Sequence, residues 1–275
     1  MKLFYAFLLI CGTAINAFAQ KLPDVQSSSV LAPSSVKIDG KNLEWNNFSA
    51  DNKRNGLLYT IANDDKNLYL AIKVVDNDAI TKVLAGGIAF SIHTKGKKRE
   101  EEANTITFPL IVRGNVNRGG AGPGSGAPNR QRMGLNRPEQ SQEQRDSATL
   151  AQRKTQLTAI KEIKIKGFNI ADSIISIYNE YGIKAVAKID EQNAYFCEIA
   201  IPLASLALTV DDKREVAYQI KLNGRQAGNF VRANAGPSGF GGGGNNRGGF
   251  GGGNNSAQQE LMMPTDFWGK YIIQK

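Results

Sequence analysis

The chain has 275 residues, of which 41% are hydrophobic, and it carries a formal net charge of +9. This hydrophobic content is typical of a globular protein and excludes a chain that is disordered throughout. The two cysteines, Cys11 and Cys197, exclude a small scaffold held together by several disulfides, so a hydrophobic core must supply the stability.

The first residues have the pattern of an export signal. Lys2 supplies a positive charge, residues 3–10 form an unbroken apolar run, and residues 17–19 read Ala-Phe-Ala, a small-x-small cleavage site. We therefore predict a signal peptide over residues 1–19 and an exported protein, periplasmic or secreted. The apolar run is too short to span a bilayer, so no transmembrane segment is expected in the mature chain. Residues 20–35 are predicted to form a flexible N-terminal segment.

Cys11 offers a less favoured alternative, a lipoprotein. Lipid attachment normally needs a small residue before the cysteine, and here Ile10 is bulky. Cleavage after Ala19 leaves Cys197 as the one cysteine of the mature chain, which then contains no internal disulfide even in an oxidising compartment.

Alternation of apolar and polar residues with period two predicts at least seven β-strands along the mature chain. Many short strands with little helix predict two antiparallel sheets packed face to face. We therefore expect an all-β fold, a two-sheet antiparallel β-sandwich with jelly-roll or immunoglobulin-like layers. The predicted apolar faces run from Leu68 to Val74, Ile88 to Ile92, Ile106 to Val112, Ile163 to Ile165, Ile183 to Ile189, Tyr195 to Ile201 and Val216 to Leu222.

Two low-complexity segments interrupt these strands. Residues 113–150 are rich in Gly, Asn, Gln, Arg and Pro, and residues 233–258 contain long glycine runs. Such segments cannot bury enough surface to offset their ordering entropy, so we predict two long flexible Gly-rich insertions. Because apolar strands flank both, residues 36–275 are predicted to be a single domain. Residues 139–155 are predicted to form a short helix that leads back into the fold.

The positive charge does not indicate nucleic-acid binding. Between Arg113 and Lys154, eight basic residues stand against three acidic ones, so much of the excess lies in the first insertion. An exported protein also rarely meets nucleic acid, and we interpret the charge as a solubilising surface.

The sequence shows no recognisable set of catalytic residues, so we predict that the protein is not an enzyme. His93 is the only histidine, which removes a histidine-pair metal site and the usual Ser-His-Asp triad. It is expected to be solvated. Glu44, Asp76 and Glu198 are the candidates for paired-carboxylate glycosidase chemistry, but nothing in the sequence places two of them in one cleft.

Four motifs, in matching order, resemble family 9 carbohydrate-binding modules and their DOMON-like relatives. The resemblance implies a single β-sandwich that binds sugars, in proteins connected with carbohydrate breakdown, and it implies that the first motif forms the opening strand. The motifs are VKIDGKNLEW at residues 36–45, DDKNLYLAIKV at residues 64–74, YFCEIAIP at residues 195–202 and FWGKYII at residues 267–273.

Sugar-binding members of this family clamp the ligand between two tryptophans, one before the strand that matches residues 87–92 and one before the closing strand. Here the first position is occupied by Lys-Val-Leu-Ala at residues 82–85 and the second by Leu-Met-Met at residues 261–263. Two functions therefore remain open. One is an exported non-catalytic protein that binds a glycan or polysaccharide, acting beside glycoside hydrolases. The other is a structural or protein-interaction protein of the cell envelope that keeps the sandwich without the sugar site.

Four aromatic residues are the candidate ligand platforms, because sugar rings stack on flat aromatic surfaces. Trp268 precedes the closing strand, Tyr178 and Tyr181 flank a predicted turn, and Trp45 is the last residue of the opening motif. For each of them, packing against the fold is the alternative interpretation.

No cofactor is required by the sequence, but two minor alternatives remain. Asp76 and Asp78 could bind calcium, which prefers carboxylate and other oxygen ligands, although acidic residues are also common in turns. Haem binding occurs in some DOMON-like relatives, and Met262, Met263 and His93 are the candidate axial ligands.

Overall fold

The computed structural model describes residues 21–45, 47–111, 141–224 and 263–275. The predicted signal peptide and the insertion at residues 233–258 lie outside these ranges, as does the first insertion up to residue 140. In chain order the elements are β1 (Ala50–Asn52), β2 (Leu57–Asn63), β3 (Asn67–Val74), α1 (Asn77–Gly86), β4 (Ile88–His93), β5 (Asn104–Phe108), α2 (Gln142–Thr158), β6 (Glu162–Lys166), β7 (Ile174–Ser176), β8 (Lys184–Ile189), β9 (Tyr195–Pro202), β10 (Glu215–Leu222) and β11 (Thr265–Ile272), with short 3-10 helices at Leu203–Leu206 and Val210–Asp212.

The strands form two antiparallel sheets that pack face to face, which confirms the predicted all-β sandwich. The five-stranded sheet has the order β1-β2-β3-β9-β8, and the six-stranded sheet has the order β11-β10-β4-β5-β6-β7. The alternating apolar residues meet between the sheets, where burial of their surface is the main stabilising contribution. Fully buried members of this core include Tyr59, Leu68, Ile72, Ile88, Phe90, Ile92, Tyr195, Tyr218 and Ile220.

The strand predicted from residue 106 to residue 112 is shorter than expected. Strand β5 ends at Phe108, and Pro109 follows it. Proline has no backbone N–H to donate to a neighbouring strand, so the ladder stops there.

Helix α1 was not anticipated from the strand pattern. Its buried residues, Ala79, Ile80, Val83 and Leu84, recur at helical spacing. The Asp76 carboxylate caps the helix by accepting the Ala79 N–H at 2.8 Å.

The N-terminal segment, which we predicted to be flexible, forms hydrogen bonds with β2 where the structure describes it. Gln26 is buried, and its side chain both accepts the Ile61 N–H (2.7 Å) and donates to the Ile61 carbonyl (2.8 Å). Farther along, the Ala32 N–H donates to the Asn63 carbonyl at 2.8 Å. These bonds attach the segment to β2, whose edge groups need partners.

The opening strand implied for residues 36–41 is also absent. These residues instead run over the outer face of the five-stranded sheet, which is itself apolar and requires a cover. The cluster formed there contains Trp45, Ala62, Tyr69, Ala71, Phe196 and Ala200, with Val36, Ile38 and Phe48 packed against it.

The helix predicted near residues 139–155 is confirmed as α2. A capping box between Ser141 and Gln144 begins it, and the Arg153 guanidinium donates to Asn77 and Asn193 at 3.0 Å each. Residues 142–150, which we expected to belong to the flexible insertion, are therefore helical. No helix in the described ranges is long and apolar enough to cross a membrane.

Candidate functional site

Trp45 is a packed structural residue and not a ligand platform. Only 3% of its surface is exposed, and its indole N–H donates to Glu198 Oε1 at 2.8 Å. Glu198 Oε2 accepts the backbone N–H groups of Gly40 (2.7 Å) and Asp39 (3.1 Å). Burial raises the pKa of Glu198, and these three hydrogen bonds oppose that effect. Glu198, a sequence candidate for carboxylate chemistry, therefore anchors the N-terminal segment.

Tyr178 and Tyr181 lie in the predicted turn, which connects β7 to β8. The exposed fractions are 80% for Tyr178 and 36% for Tyr181. Asn179 holds the turn by donating to the carbonyls of Ser176 (2.8 Å) and Ile183 (2.7 Å). Both rings are therefore presented at the surface on a defined turn.

Trp268 lies at the other side of the molecule. It is on β11, one edge of the six-stranded sheet, whereas the turn with Tyr178 and Tyr181 follows β7, the opposite edge. Five spacings of ~4.8 Å between neighbouring strands separate these edges by roughly 24 Å. The candidate aromatic residues therefore do not form one clamp.

Asp76 and Asp78 lie in a cleft at one end of the sandwich. The cleft has a volume of about 610 Å³ and is also lined by Lys53, Lys82 and Met263. It thus contains residues from both positions at which the family resemblance implies clamp tryptophans, but no aromatic residue among those that the structure describes lines it.

The structure gives Asp76 a role of its own, because its Oδ1 atom caps α1. Across the described ranges, no group of three or more His, Cys, Asp or Glu side chains is arranged to hold a metal ion. Calcium binding by Asp76 and Asp78 therefore remains a prediction.

His93 is buried, contrary to the expectation of a solvated side chain, with 1% of its surface exposed. The loop after β4 folds over it, so that the N–H groups of Lys95 (3.2 Å) and Lys97 (3.4 Å) donate to its Nδ1 atom. Its Nε2 atom lies 3.6 Å from a Glu102 carboxylate oxygen. Met262, one of its suggested haem-binding partners, lies outside the described residues.

A polar groove crosses the outer face of the six-stranded sheet. We call it the sheet-face groove. Its floor is formed by small side chains of β4 and β5, and its walls are formed by longer side chains of β6, β10 and the loop after β4. The polar residues that line it are Ser91, Glu100, Thr105, Thr107, Lys164, Lys166, Gln219, Lys221 and Asn223.

Trp268 lies next to this groove, on the strand beside its lining residue Gln219. Its neighbour Phe267 faces the core, where its ring centroid lies 5.3 Å from that of Tyr59. Because successive side chains of a strand point to opposite faces, Trp268 points outward. It is partly buried and pairs in register with Gln219.

The strand register continues this row of outward residues across the sheet. Gln219 is opposite Ser91, Ser91 is opposite Thr105, and Thr105 is opposite Lys166. The hydroxyl groups of Ser91 and Thr105 lie 2.8 Å apart. One row therefore contains an indole, an amide, two hydroxyls and an ammonium group, of which the side chains of Gln219 and Ser91 are almost fully buried.

A charged network fixes one wall of the groove. Glu100 accepts hydrogen bonds from Lys221 Nζ (2.8 Å) and Gln219 Nε2 (2.7 Å), and these bonds lower the pKa of Glu100. Gln219 Nε2 also donates to Asp266 at 2.8 Å. The buried Oε1 atom of Gln219 has no hydrogen-bond partner within the described residues. The wall is thus an ordered array of donors and acceptors.

Comparison with known proteins does not place the chain in a family. No family model and no curated protein matches it. The resemblance to family 9 carbohydrate-binding modules therefore stays a prediction from the four motifs.

Sequence reasoning found Trp268 but missed the groove beside it. Ser91, Thr105 and Gln219 occupy the polar positions of predicted strands, where such residues are normally solvated. The outward positions of β4 and β5 carry uncharged side chains, and this was the one sequence signal for a groove. The strand order, which the sequence does not give, decides that these side chains meet in one row.

Proposed function

We propose that the chain is an exported, non-catalytic protein that binds a glycan or polysaccharide in connection with carbohydrate breakdown, and that the sheet-face groove is its binding site. The observation that carries this proposal is the row from Trp268 through Gln219, Ser91 and Thr105 to Lys166. Sugars need an apolar surface for the faces of their rings and hydrogen-bonding groups for their hydroxyls. This row offers both.

The shape of the groove favours a polymer over an enclosed small molecule. Its volume is about 170 Å³, whereas pockets that enclose small ligands measure roughly 300–1,000 Å³. A shallow groove across a sheet accommodates a chain that continues beyond it at both ends. Trp268 would then contact one sugar unit and the hydroxyl-lined floor the next.

The state of the candidate carboxylates supports a binding role without catalysis. Glu198 is buried beneath residues 39–45, and Asp76 is a helix cap. In the groove itself, hydrogen bonds lower the pKa of Glu100, whereas the general acid of a glycosidase needs a raised pKa.

Thermal unfolding of the mature chain with a panel of soluble polysaccharides tests the proposal. A ligand at a hundred times its Kd adds about 2.7 kcal/mol to the free energy of unfolding, which raises the Tm. We expect Trp268→Ala to weaken binding about tenfold, equivalent to ~1.4 kcal/mol, through loss of stacking. Tyr178→Ala is the matched control and should leave the affinity unchanged. An unaltered affinity of Trp268→Ala, or no shift with any polysaccharide, would overturn the proposal.

The surface around β7 supports the second candidate, a structural or protein-interaction protein of the cell envelope. Ile174 on this edge strand is 46% exposed, close in the chain to Tyr178. Exposed apolar residues beside an unpaired strand edge are typical of protein contacts. A mature chain that binds no polysaccharide but forms a stable complex through residues 174–181 would favour this function over the first.

A further inference from the structure

The walls of the sheet-face groove carry an excess of positive charge. Its lining contains three lysines, Lys164, Lys166 and Lys221, against one glutamate, Glu100, within the described part of the chain. Lys221 is paired with Glu100 at 2.8 Å. The lining therefore carries an excess of two positive charges, although Glu100 also attracts Lys166.

These two charges stand side by side on β6. Lys164 and Lys166 alternate with the buried Ile163 and Ile165, so both point to the outer face. Two residues along a strand correspond to about 6.7 Å. Neither lysine forms an ion pair with any residue that the structure describes. A bound anion would interact favourably with both charges.

The two lysines also lie beside hydroxyl groups that can form hydrogen bonds with a sugar. Lys166 is opposite Thr105 in the register, and Lys164 is opposite Thr107. The floor next to them includes Thr105, whose hydroxyl is held in place by the buried Ser91 hydroxyl at 2.8 Å. Anion-binding groups and hydroxyl-binding groups therefore share one surface.

We propose that the ligand of the sheet-face groove is an anionic glycan, one whose sugar units carry carboxylate or sulfate groups. Lys164 and Lys166 bind the anionic groups, the partly exposed Thr105 hydroxyl binds a sugar hydroxyl, and Trp268 stacks on a ring at the other end of the row. This inference rests on the proposed function and specifies its ligand class.

Isothermal titration of the mature chain with matched polymers tests this ligand class. Polygalacturonate is compared with its carboxyl-reduced form, and dextran sulfate is compared with dextran, so the two arms separate carboxylate from sulfate recognition. We expect one charged polymer to bind at least about tenfold more tightly than its neutral counterpart, with an affinity that falls as salt is added.

Paired lysine variants separate the groove from the overall charge of the protein. Lys164→Gln with Lys166→Gln should weaken binding of the charged polymer about tenfold. Lys37→Gln with Lys184→Gln changes the net charge equally at exposed positions away from the groove, and it should leave the affinity unchanged. Melting curves confirm that both double variants fold.

Three results would contradict the inference in different ways. Equal weakening by both lysine pairs would mean that the net charge alone attracts the polymer. Neutral polymers that bind through Trp268, with no effect of the Lys164 and Lys166 changes, would leave the proposed function standing without the anionic ligand. If no polymer bound at all, both the anionic ligand and the proposed function would be contradicted.

Discussion

At the scale of single residues, Glu198 and Trp45 join the N-terminal segment to the five-stranded sheet. The carboxylate accepts one side-chain and two backbone donors while fully buried. A buried charge is tolerated only where hydrogen bonds compensate its lost hydration. The outer face of the sheet is therefore covered by a segment whose attachment depends on a few polar contacts.

Trp45→Phe tests this attachment. The variant keeps an aromatic ring but leaves Glu198 Oε1 without its indole donor. Because a buried acceptor then loses its partner, we expect the free energy of unfolding to fall by about 1–3 kcal/mol in urea denaturation. Trp268→Phe, on a partly buried edge position, is the control, and an equal loss in both variants would argue against the Glu198 contact.

The raised pKa of Glu198 also predicts a dependence of stability on pH. Burial raises the pKa above the ordinary value of 4.5, so the folded state binds this proton more tightly than the unfolded state. The stabilisation is complete below pH 4.5 and is lost as the pH rises through the folded pKa. Urea titrations should show a steeper fall of stability over that window in the wild type than in Glu198→Gln. Parallel curves would contradict this assignment.

At the scale of elements, the position of β11 depends on a glycine. A Cβ atom at Gly269 would lie 2.2 Å from Cζ of Tyr218, on the neighbouring strand. The Tyr218 ring cannot easily move, because its hydroxyl is hydrogen-bonded to that of Tyr59 at 2.9 Å inside the core. The strand that carries Trp268 is thus packed tightly against the sandwich.

Gly269→Ala should therefore destabilise the fold by overpacking, by about 1–3 kcal/mol in thermal or urea unfolding. Lys270→Ala removes only a surface ion pair with Glu215 and is the matched control, with an expected change below ~1 kcal/mol. If Gly269→Ala were as stable as the control, the close packing of Tyr218 on β11 would be wrong.

The alternation of apolar and polar residues was sufficient to predict the central strands. The alternation around Leu70, Phe90 and Ile220 identified strands and their inward faces, because side-chain direction in a strand depends only on neighbouring residues. Helix α1 was not predicted because its helical spacing extends over only ten residues, fewer than three turns. Trp45 could not be assigned to a surface or a core from sequence, since its partner Glu198 lies 153 residues away.

At the scale of the whole molecule, the sequence by itself determined that the described chain is built from alternating strands that must pack as two sheets. It also determined the inward faces of the central strands, but it left the direction of Trp268 open. Only the tertiary structure decided that β10, β4, β5 and β6 are neighbours, and so that Gln219, Ser91 and Thr105 meet in one groove while Tyr178 lies at the opposite edge. The alternation of side chains is a local property of each strand, so the sequence reveals it. Backbone hydrogen bonds are the same for every pair of strands, so they do not determine which strands become neighbours. The choice of neighbour is made by packing between residues far apart in the chain.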